Sequence, residues 1–499
     1  MTRFRHAHPI DIFLSTARFL GLLIFPLLRA AYALLFTMDR LYDWLAGAWF
    51  DILTILAIIG LGMLRWYRMT YRLEAHGIRV KQGIFFCRER FIPYARLSVA
   101  ATESPWYLLP IRAVHVSADT DGGYPNEADF SMTVYKKEFL PFLKQCRTPF
   151  WNNEEIRRVY LPRNLNIAVL SFIASNTLTG VLFGATFFSG IGKVLGKSFE
   201  QALVTQITTV MQLLAFGIPP TAAILAFTIL GGWIISFLRN LVRHLRFSAV
   251  RQGGSLEIRS GLFTRRIFDL TVQRINLVEA HQNLLTKTLG LYSTFIHATG
   301  YGKKKDELSV LMPSCDKTEL HGNLSLLLPE FPLCKPVLRP KRRYLSRFLI
   351  PPLTLMAVVG VLWGCAWYLF PFIHNITLYL SIMTMIPCVW FFIVKLVSFF
   401  HTGVGIKDNV FTLRYSYGYR FKTVSVPKER IVRIDLRQSV FQMASGGCDL
   451  VFYTFSEGHK RHIVPNLSYQ EAKALLGIND LPYPVLLRGR KKRKPVSKV

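Results

Sequence analysis

The chain has 499 residues, enough for several domains, and 51% of them are hydrophobic while 18% are charged. Its 61 Lys and Arg against 30 Asp and Glu leave a formal net charge of +31, which points to an anionic membrane surface, basic flanks of membrane helices, or nucleic acid. The seven cysteines, Cys87, Cys146, Cys315, Cys334, Cys365, Cys388 and Cys448, are odd in number and lack any C-x-x-C pair. This argues against a disulfide framework and a zinc site, and fits domains facing a reducing cytoplasm.

From the amino terminus, the block Ile10 to Phe36 is apolar but interrupted by Asp11, Arg18, Pro26 and Arg29. Ala31-Tyr32-Ala33 resembles a signal-peptidase site after a basic start, yet the apolar run continues to Phe36 and a second block, Trp44 to Trp66, follows at once. A membrane hairpin over residues 10–66 is the favoured reading. In it Arg29 and Asp51 lie at matched depth, and two readings stand side by side. Either they form an intramembrane pair that relieves each other's desolvation, or Arg29 snorkels to the headgroups while Asp51 faces a wet edge.

Asn164 to Gly190 and Thr208 to Leu238 contain no Asp, Glu, Lys or Arg, and neither does Phe348 to Val394, so hairpins are expected over residues 164–238 and 348–394. Lys and Arg cluster on one side of these blocks, at Arg65, Arg68 and Arg72, at Arg239, Arg243 and Arg246, and from Lys341 to Arg347. The positive-inside rule then places both termini and the polar segments in the cytoplasm.

The polar segments, residues 67–160, 246–332 and 400–480, repeat one another. Ile78 to Phe85 corresponds to Leu256 to Phe263, and thirteen residues after Gly83 and Gly261 come Arg96-Leu97 and Arg274-Ile275. The third segment has Arg430-Ile431 thirteen residues after Tyr417, which stands where the glycine is expected and leaves that first hairpin turn open. Eight residues past each arginine are Ser104, Gln282 and Gln438. Near alternation of apolar and polar residues between turns such as His76-Gly77 and Asp121-Gly122-Gly123 predicts about seven antiparallel strands per segment. A short helix closes each, within Lys136 to Cys146, Lys317 to Leu328 and Ser468 to Leu476. The expected fold is therefore an α-helical membrane protein with about six transmembrane helices in three hairpins and three cytoplasmic antiparallel-β domains.

Gly83 and Gly261, the Pro93-x-x-Arg96-Leu97 and Pro427-x-x-Arg430-Ile431 pairs, Gln282, Gln438 and the start Arg5-x-x-His8-Pro9-Ile10 carry a resemblance over residues 5 to 480. In them the chain resembles the bacterial pleckstrin-homology-like (PH-like) membrane proteins of the YdbS/YdbT type, as a three-module member. The resemblance implies a cytoplasmic-membrane location, PH-like domains and no established chemistry.

No catalytic, metal or cofactor signature is present. Gly300-Tyr301-Gly302-Lys303-Lys304-Lys305 lacks phosphate-loop spacing, no H-E-x-x-H or G-x-S-x-G occurs, and His115 and His297 sit singly on strand-like runs. His374, in the turn of the last apolar pair, reads as interfacial. Basic residues recur in the second hairpin of each module, at Arg88 and Arg90, Arg265 and Arg266, and Arg420 and Lys422. They are candidates for lipid or partner contact beside the plainer reading of a solvated strand face. The tail, residues 486–499, holds Arg488 and the run Arg490, Lys491, Lys492, Arg493 and Lys494, which suits an anionic inner leaflet better than nucleic acid, since no recognition helix accompanies it. These features point to a non-enzymatic scaffold or accessory factor at the inner membrane, with membrane lipids and another membrane protein, such as a smaller PH-like one, as partners. A component of a transport, export or toxin-resistance system is the alternative. The oligomeric state is not written in the sequence.

Overall fold

The computed structural model describes residues 4–14, 16, 41–84, 86–120, 128–138, 157–175, 205, 220–298, 309–371, 374–455 and 461–477. Two compact units emerge, Met1–Ile275 with Leu291–Pro329, and Asn276–Gly290 with Glu330–Val499.

In the first unit, β1 (Arg5–His6), β2 (Thr70–Leu73), β3 (Gly77–Gln82) and β4 (Arg88–Pro93) form a four-stranded antiparallel sheet in that order. A 3-10 turn, Tyr94–Arg96, leads into β5 (Leu97–Pro105), β6 (Ala113–Thr120) and β7 (Phe130–Tyr135). Tyr71, Ile78, Val80 and Ile92 from the first group pack against Val114, Val116, Phe130 and Met132 from the second, giving a two-layer core. The second repeat begins with β8 (Arg158–Tyr160), β9 (Ser248–Gln252), β10 (Ser255–Ser260) and β11 (Thr264–Thr271), again ending in a 3-10 turn, Val272–Arg274. Its β11 pairs antiparallel with β5, so a seven-stranded sheet runs β7-β6-β5-β11-β10-β9-β8 across two repeats.

In the second unit, β12 (Ile275–Gln282) pairs with β17 (Arg420–Pro427), which continues through β16 (Val410–Tyr417) to β15 (Gly403–Lys407). The first unit also holds the hairpin of β13 (Leu291–Ala298) and β14 (Val310–Asp316). After the 3-10 turn Lys428–Arg430 the second unit adds β18 (Ile431–Arg437), β19 (Gly447–Thr454) and β20 (Arg461–Ser468) as a three-stranded sheet. Its core joins Val404, Phe411, Leu413 and Val424 to Leu450, Phe452, Val464 and Leu467.

The turn glycines have a steric cause. Gly83 and Gly261 adopt φ of +129° and +100°, and a Cβ at either would overlap the carbonyl oxygen of Phe86 or Thr264. In the third repeat the tight turn moves on by one: Tyr417 pairs with Arg420, and Gly418, at φ +58°, takes the left-handed position.

The described residues include nine α-helices: α1 (Leu41–Arg68), α2 (Asn164–Ala174), α3 (Pro220–His244), α4 (Leu284–Thr288), α5 (Lys317–Leu327), α6 (Leu345–Leu369), α7 (His374–His401), α8 (Val440–Ser445) and α9 (Tyr469–Leu475). Among the described residues the structure does not carry the six membrane helices in three hairpins expected from the apolar blocks. Among the described residues two helical stretches are long and apolar enough to cross a membrane, Arg342–Leu369 and Leu380–His401, and twenty strands dominate the rest. A charge-free run measures composition and not helix length. The helix beginning at Asn164 has 11 residues, roughly 16 Å at 1.5 Å per residue, and ends where Ser175 turns extended at ψ 136°. It buries Ile167, Leu170 and Ser171, and sets Phe172 edge-on to Trp233 of α3 at 4.9 Å. Arg29, the side chain of Asp51 and the tail from Arg490 to Lys494 lie outside the described residues.

Candidate membrane interface

The two apolar helices pack as an antiparallel pair: Trp363 Nε1 donates to Thr384 Oγ1 at 2.7 Å, and Phe348 meets Phe399 edge-on at 5.6 Å. Pro351 and Pro352 lie in the second turn of α6, and Pro387 lies inside α7. α7 enters the β-module with Thr402 alone between His401 and Gly403, and Ser398 Oγ meets Ser416 Oγ at 2.5 Å. No flexible linker separates the helix from the sheet.

The foot of α6 is held in a second way. Tyr344 is fully buried, and its hydroxyl reaches the carbonyl oxygens of Ser445 at 3.2 Å and Gly446 at 3.0 Å while accepting from Arg343 Nη2 at 2.6 Å. Arg347 Nη2 donates to the carbonyl of Phe441 and to Ser445 Oγ. Both side chains therefore clamp α8, the six-residue helix between β18 and β19. Its ends are written in the sequence: Ser439 and Gln442 form a reciprocal capping box, and Gly446 ends the helix at φ +65°. Gln442 is buried and donates to Asp449 Oδ1 at 2.6 Å and Asn466 Oδ1 at 3.2 Å. With Gln442 turned inward, Val440 (80% exposed), Phe441 (83%) and Met443 (65%) point outward beside the start of the apolar helix. Lys341, Arg342, Arg343 and Arg347 lie at the same foot, Lys341 with its ammonium 2.6 Å from Glu471. An apolar knob ringed by cations is the composition that the headgroup layer of an anionic leaflet accommodates.

The cations singled out in the sequence do not share one surface role. Arg88 opens β4 exposed, and Arg90 donates to the carbonyl of Asp129 at 3.4 Å. Arg265 is exposed, whereas Arg266 lies 3.6 Å from Glu103 of β5. Arg420 is exposed, but Lys422 is 8% exposed, with its ammonium 3.1 Å from Glu279 Oε2. The reading of a solvated strand face fails at Lys422, whose ammonium is buried against Glu279 of the neighbouring β12. Sequence reasoning missed α8, whose signal was the Ser439-x-x-Gln442 box followed by Gly446. It also did not single out Glu279.

Around Glu279 the structure gathers His281 Nε2 at 2.6 Å and His462 Nδ1 at 3.9 Å, and Tyr415 Oη lies 2.7 Å from His462 Nδ1. Burial, reinforced by Glu279, pushes the Tyr415 hydroxyl well above its ordinary range. Nearby, burial helped by Arg414 lowers Lys287 to about 8, with its ammonium 4.4 Å from the centre of the Phe421 ring. Among the described residues no group of three or more His, Cys, Asp or Glu is placed to hold a metal ion.

Comparison with known proteins agrees with this architecture. A Bacterial PH domain family model matches residues 19–148, 202–320 and 345–478. The UPF0699 transmembrane protein YdbT of Bacillus subtilis (strain 168) is 23% identical over 312 residues, which cover 58% of this chain. The chain spans 62% of that relative's length. No solved structure matches. With the family model covering more than half of its residues, the chain belongs to the bacterial PH domain family, as a YdbT-like membrane protein.

Proposed function

We propose that this protein is a non-enzymatic scaffold of the bacterial inner membrane, holding PH-like modules at the cytoplasmic surface for protein and lipid partners. The observation that supports it most is the double attachment of the third module to the apolar helix pair. α7 runs into β15 with one residue between, and Arg347 and Tyr344 of the α6 foot clamp α8. A module tethered by a flexible linker would sample all orientations, whereas this one keeps one face, with Phe441, turned to the bilayer. The basic foot supports a cytoplasmic placement.

The test is co-purification from detergent-solubilised membranes. A membrane protein recovered at fixed stoichiometry with the full chain is the expected result. Substrate-dependent flux through the purified chain in proteoliposomes, with no partner recovered, would replace the scaffold by a transport component.

A further inference from the structure

Consecutive PH-like modules in this chain are joined edge to edge by one repeated contact. β5 of the first repeat pairs with β11 of the second, and β12 of the second pairs with β17 of the third, both antiparallel. The register is the same in both. Arg88, Arg266 and Lys422 stand eight residues before Arg96, Arg274 and Arg430, and Glu103, His281 and Arg437 stand seven residues after them. Glu103 lies opposite Arg266, and His281 lies opposite Lys422. Each joint therefore sets a cation on the strand of the later repeat near an acidic group on the strand of the earlier one. Arg266 lies 3.6 Å from Glu103, and Lys422 lies 3.1 Å from Glu279, which His281 also contacts.

Among the described residues this contact is unused at the two ends of the series. β4 is an edge strand of its sheet, and β18 is an edge strand of its own. Along β4 only Ile92 is buried, whereas Phe421 to Val426 of β17 are all buried under β12. An unpaired edge of this kind accepts a further strand through its free backbone groups. A second copy of this chain fits badly. In the shared register its Arg437 would face Arg88, and like charges directly opposite are destabilising. Asp435 of β18 is already held by Arg433 at 2.9 Å and Arg437 at 3.5 Å.

We propose that the β4 edge is the docking site for a PH-like module of another chain, which adds its equivalent of β5 in the same register and places an acidic residue opposite Arg88. This rests on the scaffold reading and names the kind of partner. Backbone hydrogen bonds supply the attachment, and the charge opposite Arg88 selects against self-assembly.

The test is a charge-swap cycle on the full chain in detergent, read by sedimentation and native mass spectrometry. Arg437→Glu sets an acid opposite Arg88, and Arg88→Glu sets one opposite Arg437, so each single variant self-associates about tenfold more tightly than the parent. The double variant restores like charges and returns to the parent's state. Either single variant that folds is sufficient, since each tests the same pairing. Singles that associate no better than the parent, or a double that associates as well as they do, overturn the proposal. In native membranes a photoreactive phenylalanine analogue at Phe91 cross-links to the strand after the Pro-x-x-Arg turn of another PH-like chain. Cross-linking to lipid only, to a protein without such a module, or to nothing overturns it. The charge-swap arm needs no partner, so its failure is distinct from a failure to co-purify one.

Discussion

Glu279 and Lys422 illustrate how a strand residue changes character when a neighbour covers it. Both are almost fully buried, and the ammonium lies 3.1 Å from the carboxylate. A buried ion pair contributes little over an apolar pair of similar volume, but removing one partner strands the other charge, at a cost of about 3–5 kcal/mol. Glu279→Leu is therefore expected to lower the melting temperature in detergent sharply, while Glu279→Leu with Lys422→Met recovers most of it. A double variant that loses as much as the sum of the singles would show that the pair is not coupled. His244 carries a pH dependence of opposite origin. Burial lowers it from 6.5 to about 4, while its Nδ1 stays 2.8 Å from the Asn240 carbonyl. Because the folded state binds the proton less readily than the unfolded one, no stability is lost above about pH 6.5, and it falls as pH drops from there toward about 4. The loss approaches roughly 3 kcal/mol at 1.36 kcal/mol per pKa unit. Melting scans of the parent and of His244→Gln should converge above pH 7 and diverge below 6.

Among the elements, α8 is held from three sides: by its own caps, by Gln442 and by the α6 foot. Replacing Arg347 by Ala removes the donor to the Phe441 carbonyl and to Ser445 Oγ, so amide exchange over Val440–Ser445 is expected to rise by about tenfold or more, leaving the exchange of β19 unchanged. Equal protection in both proteins would mean that the clamp is idle. The repeats themselves were legible in the sequence because their signals are local: a glycine forced to positive φ at Gly83 and Gly261, a Pro-x-x-Arg turn, and alternation along each strand. The joints between repeats were not, because which edge meets β5 depends on chain segments some 165 residues away, as in the Thr102 hydroxyl that meets the Ile267 carbonyl. The helices erred in the other direction. The run from Asn164 to Gly190 is apolar enough to cross a bilayer, yet the helix stops at Ala174, its Ile167 and Leu170 buried. Apolar length alone does not separate a membrane span from a helix absorbed by a domain.

For the whole molecule, the question is which side of the membrane the modules occupy, and the helix pair bears on it through its flanks. Lys341, Arg342, Arg343 and Arg347 precede or open α6, Lys395 lies in the last two turns of α7, and residues 370–373 between the helices hold neither Lys nor Arg. Moving several cations across the bilayer costs more than moving an uncharged turn, so the turn is expected outside and the feet inside. The same orientation brings the apolar knob of α8 and the cations of the α6 foot to the anionic leaflet, where each cation near the surface contributes about 1 kcal/mol. Two paired reporters check this. A reporter active only outside the cytoplasm should stay silent when fused after Val499 and become active when inserted after Phe370. The reverse pattern would place the modules outside. Silence at both positions would mean that the helix pair does not cross the membrane, and the apolar surfaces of α6 and α7 would then need a protein partner in place of lipid.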